Sequence, residues 1–338
     1  MGIDPFSREK ARFLVIGCGS IGKRHIGNLL SAGAGEVAAF DVREDRRREV
    51  EEKFGIGVSG DLDTALFRQP DVALVCSPTA FHREHALRAV RAGCHVFIEK
   101  PVSDSLEGLE VLVEELARQG RTSMVGCNFR FHPGLQEVKS LLGQGAIGRV
   151  VSFRARFGHY LPDWHPWEDY RETYSARRGL GGGVILDRVH EIDYARWLFG
   201  DVGRVFAWAG HESSLEIETE DLAEILLRFR NGITGSLHLD YLRRQYDAGL
   251  EITGEDGIIR WTYQRHAVTW FRAGEESWHC LEWPGFDANQ MYLDELAHFL
   301  TALEEGKKPM NPVPEAIRVL EIALAAKRSS VGGCVVEL

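Results

Sequence analysis

Over the first 126 residues, short apolar runs alternate with charged stretches of helical spacing. Residues 13–16, 37–40, 72–76, 95–98 and 123–127 are nearly continuous in apolar side chains, the pattern of strands buried on both faces. Between them, residues 21–30, 44–54, 61–67 and 81–92 read as helices, three of them stopping at Gly33, Gly55 and Gly93. Asp61 is placed to cap the third helix. Ser103 or Asp104, with Glu107 completing a capping box, is placed to start another that runs to Gly120. This alternation predicts right-handed βαβ units and a parallel, doubly wound sheet. The run from Cys94 closes abruptly on Glu99, Lys100 and Pro101. Proline cannot donate to a ladder, so the strand stops there. Glu99 and Lys100 then stand at the carboxyl edge, where open α/β sheets bind ligands.

After Pro133 the rhythm changes. Residues 135–142 read as a helix, and strand patterns then dominate at 150–157, 202–210, 222–229, 233–241, 248–253, 258–263, 267–271 and 277–281. Arg230-Asn231-Gly232, Glu255-Asp256-Gly257 and Ala273-Gly274 are turn signals between them, which predicts a large, open, mostly antiparallel and meandering sheet. Helical spacing returns at 290–304 and 314–329.

With 338 residues, 44% hydrophobic and 27% charged, the chain suffices for two cores. A net charge of −10 argues against nucleic acid or an anionic membrane surface as partner. No apolar run approaches the roughly 18 residues of a membrane span. The six cysteines are scattered with no C-x-x-C pair, which indicates neither a metal site nor a redox motif and suits a reducing, cytoplasmic setting. Residues 1–6 look like an appended leader outside the fold, without a secretory pattern.

The first strand leads into Gly17-Cys18-Gly19-Ser20-Ile21-Gly22, a G-x-G-x-x-G run that opens a helix. In that context the glycines of such a turn let backbone approach a pyrophosphate, which sits on the helix N-terminus; Ser20 and Ile21 belong to the same cradle. Asp41, 19 residues after Gly22 and at the end of the next strand, stands where an acidic side chain accepts ribose hydroxyls. A carboxylate there repels a 2′-phosphate and selects NAD over NADP, with Arg43 as the residue that would favour the phosphate. Ser77, Pro78 and His82 follow a strand's carboxyl end and are expected at the same crevice; His82 reads equally as a helix-surface histidine. The chain thus divides into a Rossmann domain at 7–126 and an α+β substrate domain at 127–338, whose last helices are in position to pack back on the first. Within the second, Gly181-Gly182-Gly183 enters a helix that carries Asp187 and His190 on one side, a pairing that can orient and charge an imidazole. A surface aspartate beside a core histidine gives the same spacing.

These pieces, in this order, resemble the Gfo/Idh/MocA oxidoreductases: the strand-linked glycine run, Glu99-Lys100-Pro101, Asn128-x-Arg130, and G-G-G-x-x-x-D with His190-x-x-Asp193. The resemblance implies an NAD-dependent enzyme that transfers a hydride to or from a secondary alcohol or ketone of a sugar, amino sugar, nucleotide sugar or cyclitol. It implies Lys100 on the reacting hydroxyl, His190 as acid/base with Asp187 beside it, Glu99 and Asn128 along the nicotinamide, and Arg130 among the substrate contacts. The family's commoner pattern places three residues between Asp and His; here there are two, Arg188 and Val189. The run from Asp163 to Arg178, with Trp164, Trp167 and Arg171, precedes the glycines and is expected either to face the substrate or to serve as a structural or oligomer contact. Together with the run from Gly17 through Lys23-Arg24-His25, it looks like a subgroup associated with amino-sugar or surface-polysaccharide building blocks. An NAD-dependent glycosidase and a non-catalytic NAD-binding regulator share the scaffold, and a homodimer or homotetramer through the second domain's sheet is expected.

Overall fold

The computed structural model describes residues 6–338; residues 1–5, most of the leader set aside above, lie outside them. Backbone contacts divide the chain into two compact units: residues up to Asn128 with Asn289–Ile317, and Phe129–Ala288 with Arg318–Leu338.

In the first unit, β1 (Arg12–Ile16), β2 (Glu36–Phe40), β3 (Gly57–Ser59), β4 (Val72–Val75), β5 (His95–Glu99) and β6 (Ser123–Gly126) form one sheet in the order β3-β2-β1-β4-β5-β6. Every pairing is parallel. The connecting helices are α1 (Ser20–Ser31), α2 (Glu44–Phe54), α3 (Leu62–Phe67), α4 (His82–Arg91) and α5 (Leu109–Gln119). Val15, Leu74, Val96 and Phe97 are fully buried, as the apolar runs predict; each such side chain contributes about 1.5–3 kcal/mol by leaving water. The chain order reverses between β1 and β4, which opens a crevice at their carboxyl ends. Asp61 caps α3 as expected, accepting the Thr64 N–H at 2.7 Å. The expected start of α5 at Ser103 or Asp104 is too early. Ser103 Oγ accepts the Ser105 N–H at 3.3 Å in a local turn, and Gly108, at φ 72°, is the residue that precedes the helix.

In the second unit the chain forms α6 (Pro133–Gly143), β7 (Val150–Gly158), α7 (Val184–Asp187), α8 (Val189–Phe199), β8 (Val202–Gly210), β9 (Leu222–Phe229), β10 (Thr234–Asp240), β11 (Asp247–Gly254), β12 (Gly257–Thr262), β13 (Ala267–Arg272), β14 (His279–Glu282) and, after two further helices, β15 (Val336–Glu337). The nine strands run β14-β13-β12-β11-β7-β10-β9-β8-β15. The sheet is not the simple meander expected. β7 lies between β10 and β11, parallel to the first and antiparallel to the second, because its long excursion through α7 and α8 returns the chain to its far side. Along β9, Ala223, Ile225, Leu227 and Phe229 point inward, and α8 covers that face with Phe199 stacked on Phe153 at 4.4 Å.

The last helices are α9 (Asn289–Glu304) and α10 (Val313–Gly332). α9 belongs to the first unit, where Asn289 donates to Asn28 of α1 at 3.0 Å and Tyr292 lies under Arg24. α10 begins in the first unit and ends in the second.

Candidate active site

The glycine run lies at the carboxyl end of β1. Gly17 has φ 108°, and a Cβ there would stand 2.7 Å from the Cys76 carbonyl oxygen; at Gly22 it would stand 1.9 Å from the Gly17 oxygen. Both positions therefore require glycine, and the turn they make is tight enough to bring backbone N–H groups up to a bound group. α1 opens at Ser20 and Ile21 behind Gly19, with no side chain capping it and no acidic residue in its first turn. That leaves its N-terminal N–H groups for an anion, the chemistry a pyrophosphate needs. Asp41 closes the turn from the end of β2: one carboxylate oxygen accepts the Cys18 N–H at 2.8 Å and the other the Arg43 N–H at 2.9 Å. Arg43 itself forms an exposed pair with Asp45. These residues fit a dinucleotide.

Ser77 and Pro78 follow β4 at the same edge. His82 is not on the helix surface; it is buried, with its two ring nitrogens each 2.7 Å from a carbonyl oxygen, of Pro101 and of Ser77. Burial holds its pKa below the ordinary value, against the pull of those carbonyls. Its role is to brace the ends of β4 and β5. His85, one turn on, lies 2.9 Å from Ser77 Oγ and is pushed down to about 4 by burial. At the end of β5, Glu99 is buried against His25 of α1, with Nε2 2.7 Å from Oε1, and its other oxygen accepts the Lys100 N–H at 3.2 Å. Burial works to raise the Glu99 pKa, but the hydrogen bond and charge of His25, with the Lys100 charge, lower it on balance. Asn128, also buried, opens the short helical turn Asn128–Phe131.

In the second unit, the helix expected to carry Asp187 and His190 on one side is broken between them. Arg188, at φ −100° and ψ 35°, separates α7 from α8, so the two residues do not share a continuous helical face. Three hydroxyls hold the Asp187 carboxylate: Tyr174 on one oxygen, and Ser175 at 2.7 Å and Tyr241 at 3.0 Å on the other. Burial, then the Asp187 charge, pushes the Tyr241 phenol well above its ordinary range, so it remains a donor. His190 is buried, with its ring 4.9 Å from Phe129. Trp164 stands edge-on to Tyr241 at 5.4 Å and donates to the His159 carbonyl at 3.2 Å, which places it beside the group that holds Asp187.

The NAD-binding Rossmann-fold model of the Gfo/Idh/MocA oxidoreductases matches residues 11–127, and the C-terminal domain model of the same family matches residues 135–260. The chain belongs to the Gfo/Idh/MocA family. It is 31% identical over 335 residues to myo-inositol 2-dehydrogenase of Thermotoga maritima, spanning 94% of this chain and 96% of that protein. It is 26% identical to the NAD(+)-dependent scyllo-inositol 2-dehydrogenase of Bacillus subtilis, over 98% and 97% of the two chains. Its fold is shared with the WlbA dehydrogenase of Bordetella pertussis, solved with NADH and UDP-GlcNAcA, at a TM-score of 0.83 and 24% identity over 97% and 99% of the chains.

Two expected substrate contacts of this family member stand in ion pairs within the protein. Arg130 is buried in a bidentate pair with Asp193 of α8, at 2.7 and 2.8 Å. Arg171 spends its guanidinium on Asp169 and Glu216 at the surface. Trp167 is 75% exposed against His165. Sequence reasoning gave no individual role to His25, Tyr174, Ser175 or Tyr241. His25 and the Tyr174-Ser175 pair lie in stretches already singled out; Tyr241 carried no signal beyond its place at a strand end.

Proposed function

We propose that this protein moves a hydride between NAD and a secondary alcohol or ketone of a sugar, amino sugar, nucleotide sugar or cyclitol. The observation that carries the reading is the carboxyl edge of the first unit, where a glycine cradle after β1 and Lys100 after β5 lie at the same end of one parallel sheet. The inositols named for two relatives support a polyhydroxylated substrate. Gly17, Gly19, Ser20, Ile21 and Gly22 hold the pyrophosphate, Asp41 the ribose, and Ser77 and Pro78 line the crevice. NAD, when bound, supplies the hydride acceptor. Lys100 stabilises the negative charge that develops on the substrate oxygen. His190 takes the proton that the hydroxyl loses, and Asp187, oriented by its three hydroxyls, supplies fixed negative charge in the second unit.

Lys100→Met and His190→Ala are each expected to lower kcat about 10²-fold or more, the usual scale for a positioned acid or base. NADH affinity should hardly change. A rise of rate with pH in the wild type should vanish in His190→Ala; an unaltered profile with near-normal kcat would place the base elsewhere. Net NADH formation from sugar or inositol substrates separates this reading from transient oxidation by a glycosidase and from a regulator, neither of which accumulates it.

The protein is further proposed to be cytoplasmic and to assemble as a homodimer or homotetramer through the open face of the nine-stranded sheet. Trp208 and Leu226, 69% and 51% exposed on paired strands, support self-association. A monomeric mass by light scattering would refute it.

A further inference from the structure

His25 sits on α1, the helix that opens at the glycine cradle, and is fully buried. Its ring meets Phe97 edge-on at 5.2 Å and Tyr292 at 6.2 Å, so its orientation is fixed by packing. Nε2 lies 2.7 Å from Glu99 Oε1, while Nδ1 is buried with no hydrogen-bond partner among the described residues. Glu99 Oε2 in turn accepts the Lys100 N–H at 3.2 Å. One buried carboxylate thus fastens the helix that follows the cradle to the backbone of Lys100.

We propose that His25 is a positioning residue that acts through Glu99 to set the Lys100 backbone, and with it the place of the ammonium. The inference rests on the reading of Lys100 as catalytic. The physical case is the demand of a buried carboxylate. Glu99 is 8% exposed and has two hydrogen-bond partners, His25 and the Lys100 N–H. Take away the imidazole and an under-satisfied carboxylate remains in the interior, which is costly until a cation or a proton answers it. The Lys100 ammonium, whose charge already acts on Glu99, is the cation at hand. Drawn inward, it leaves the edge where the substrate oxygen develops charge.

The test crosses two positions. His25→Phe keeps a ring between Phe97 and Tyr292 and removes the donor; His25→Gln restores a side-chain donor. Each is made in the wild type and in Lys100→Met, and kcat is measured beside NADH affinity from the fluorescence of bound NADH. His25→Phe is expected to lower kcat about tenfold or more in the wild type but less than about twofold in Lys100→Met, because residues that act as a unit lose their effect together. NADH affinity should change less than about threefold, since neither residue holds the pyrophosphate. His25→Gln should recover most of the loss. Should His25→Phe not fold, Glu99→Gln keeps the shape, replaces the acceptor that faces Lys100, and should show the same non-additive loss. Losses that multiply across the two backgrounds, or NADH affinity that falls in step with kcat, would overturn the inference. Undiminished kcat in Lys100→Met alone would overturn the catalytic reading of Lys100 and the inference with it, a result told apart because it appears before His25 is touched.

Discussion

The buried pair of Arg130 and Asp193 offers a sharp test of how this fold uses a residue that its sequence context assigns to substrate. The two side chains are 4% and 1% exposed, and the guanidinium meets the carboxylate through two parallel N–H···O contacts of 2.7 and 2.8 Å. The pair ties the turn Asn128–Phe131 to α8 in the second unit. Taking one partner away strands a charge in the interior, which costs about 3–5 kcal/mol. Replacing both by apolar residues of similar size leaves no charge to strand and is near neutral or stabilising. Arg130→Ala and Asp193→Ala should therefore each lower the unfolding free energy by about 3–5 kcal/mol. For a unit of this size each kcal/mol corresponds to about 2–4 °C in Tm. Arg130→Met with Asp193→Leu should return most of that. Arg130→Lys should not rescue, because an ammonium cannot make the fork. Denaturant melts of the wild type, Arg130→Met, Asp193→Leu and the variant carrying both give the coupling energy directly, and steady-state kinetics on the same samples give KM. A loss below about 1 kcal/mol in both single variants, or a double variant as unstable as the singles, would refute the argument, since a surface pair behaves that way. Raised KM with unchanged stability in Arg130→Ala would restore the substrate role.

Three other outcomes are expected. Burial holds the folded-state pKa of His132 down to about 3 and those of His85 and His95 to about 4. The unfolded chain takes up protons on these rings below about pH 6.5, the ordinary histidine value, while the folded chain does not. Stability should therefore be fully present near pH 7, fall as pH drops through 6 and 5, and level off only near the folded values; a Tm that is flat from pH 7 to 5 would contradict this, and His132→Asn should shallow the slope. Asp41→Ser should weaken NAD binding, both by losing the ribose acceptor and by releasing the Cys18 and Arg43 N–H groups, and improve binding of NADP relative to NAD; a wild type that already prefers NADP in parallel titrations would shift the decision to Arg43. Trp164→Ala should raise KM for substrate, whereas Arg171→Ala, which breaks only exposed pairs, should change KM little and stability by at most about 1 kcal/mol; the reverse ranking would return Arg171 to the substrate.

The sequence by itself determined whatever rests on local periodicity and local stereochemistry. Alternating apolar runs and helical stretches required a parallel sheet in the first unit, because only burial on both faces tolerates such runs. Strands β8 and β9 begin and end where the pattern places them, since one-sided burial writes itself as alternation. Gly17 and Gly22 were legible because no other residue fits their turn, and Lys100 because a proline ends its strand. What only the tertiary structure decided is every pairing between distant segments. His25 and Glu99 are 74 residues apart, Arg130 and Asp193 are 63, and Asp187 meets Tyr241 across 54. Nothing local marks a buried arginine as a core ion pair and not a ligand contact, because the side chain has the same chemistry in both. The place of β7 between β10 and β11 is likewise set by which edges remain to be paired once the chain returns, and the break at Arg188 by how Asp187 is gripped from a loop and a strand end that helical spacing does not see. Periodicity records which face of an element is buried; the partner against which it is buried depends on chain topology, and that is where the chemistry of this site was settled.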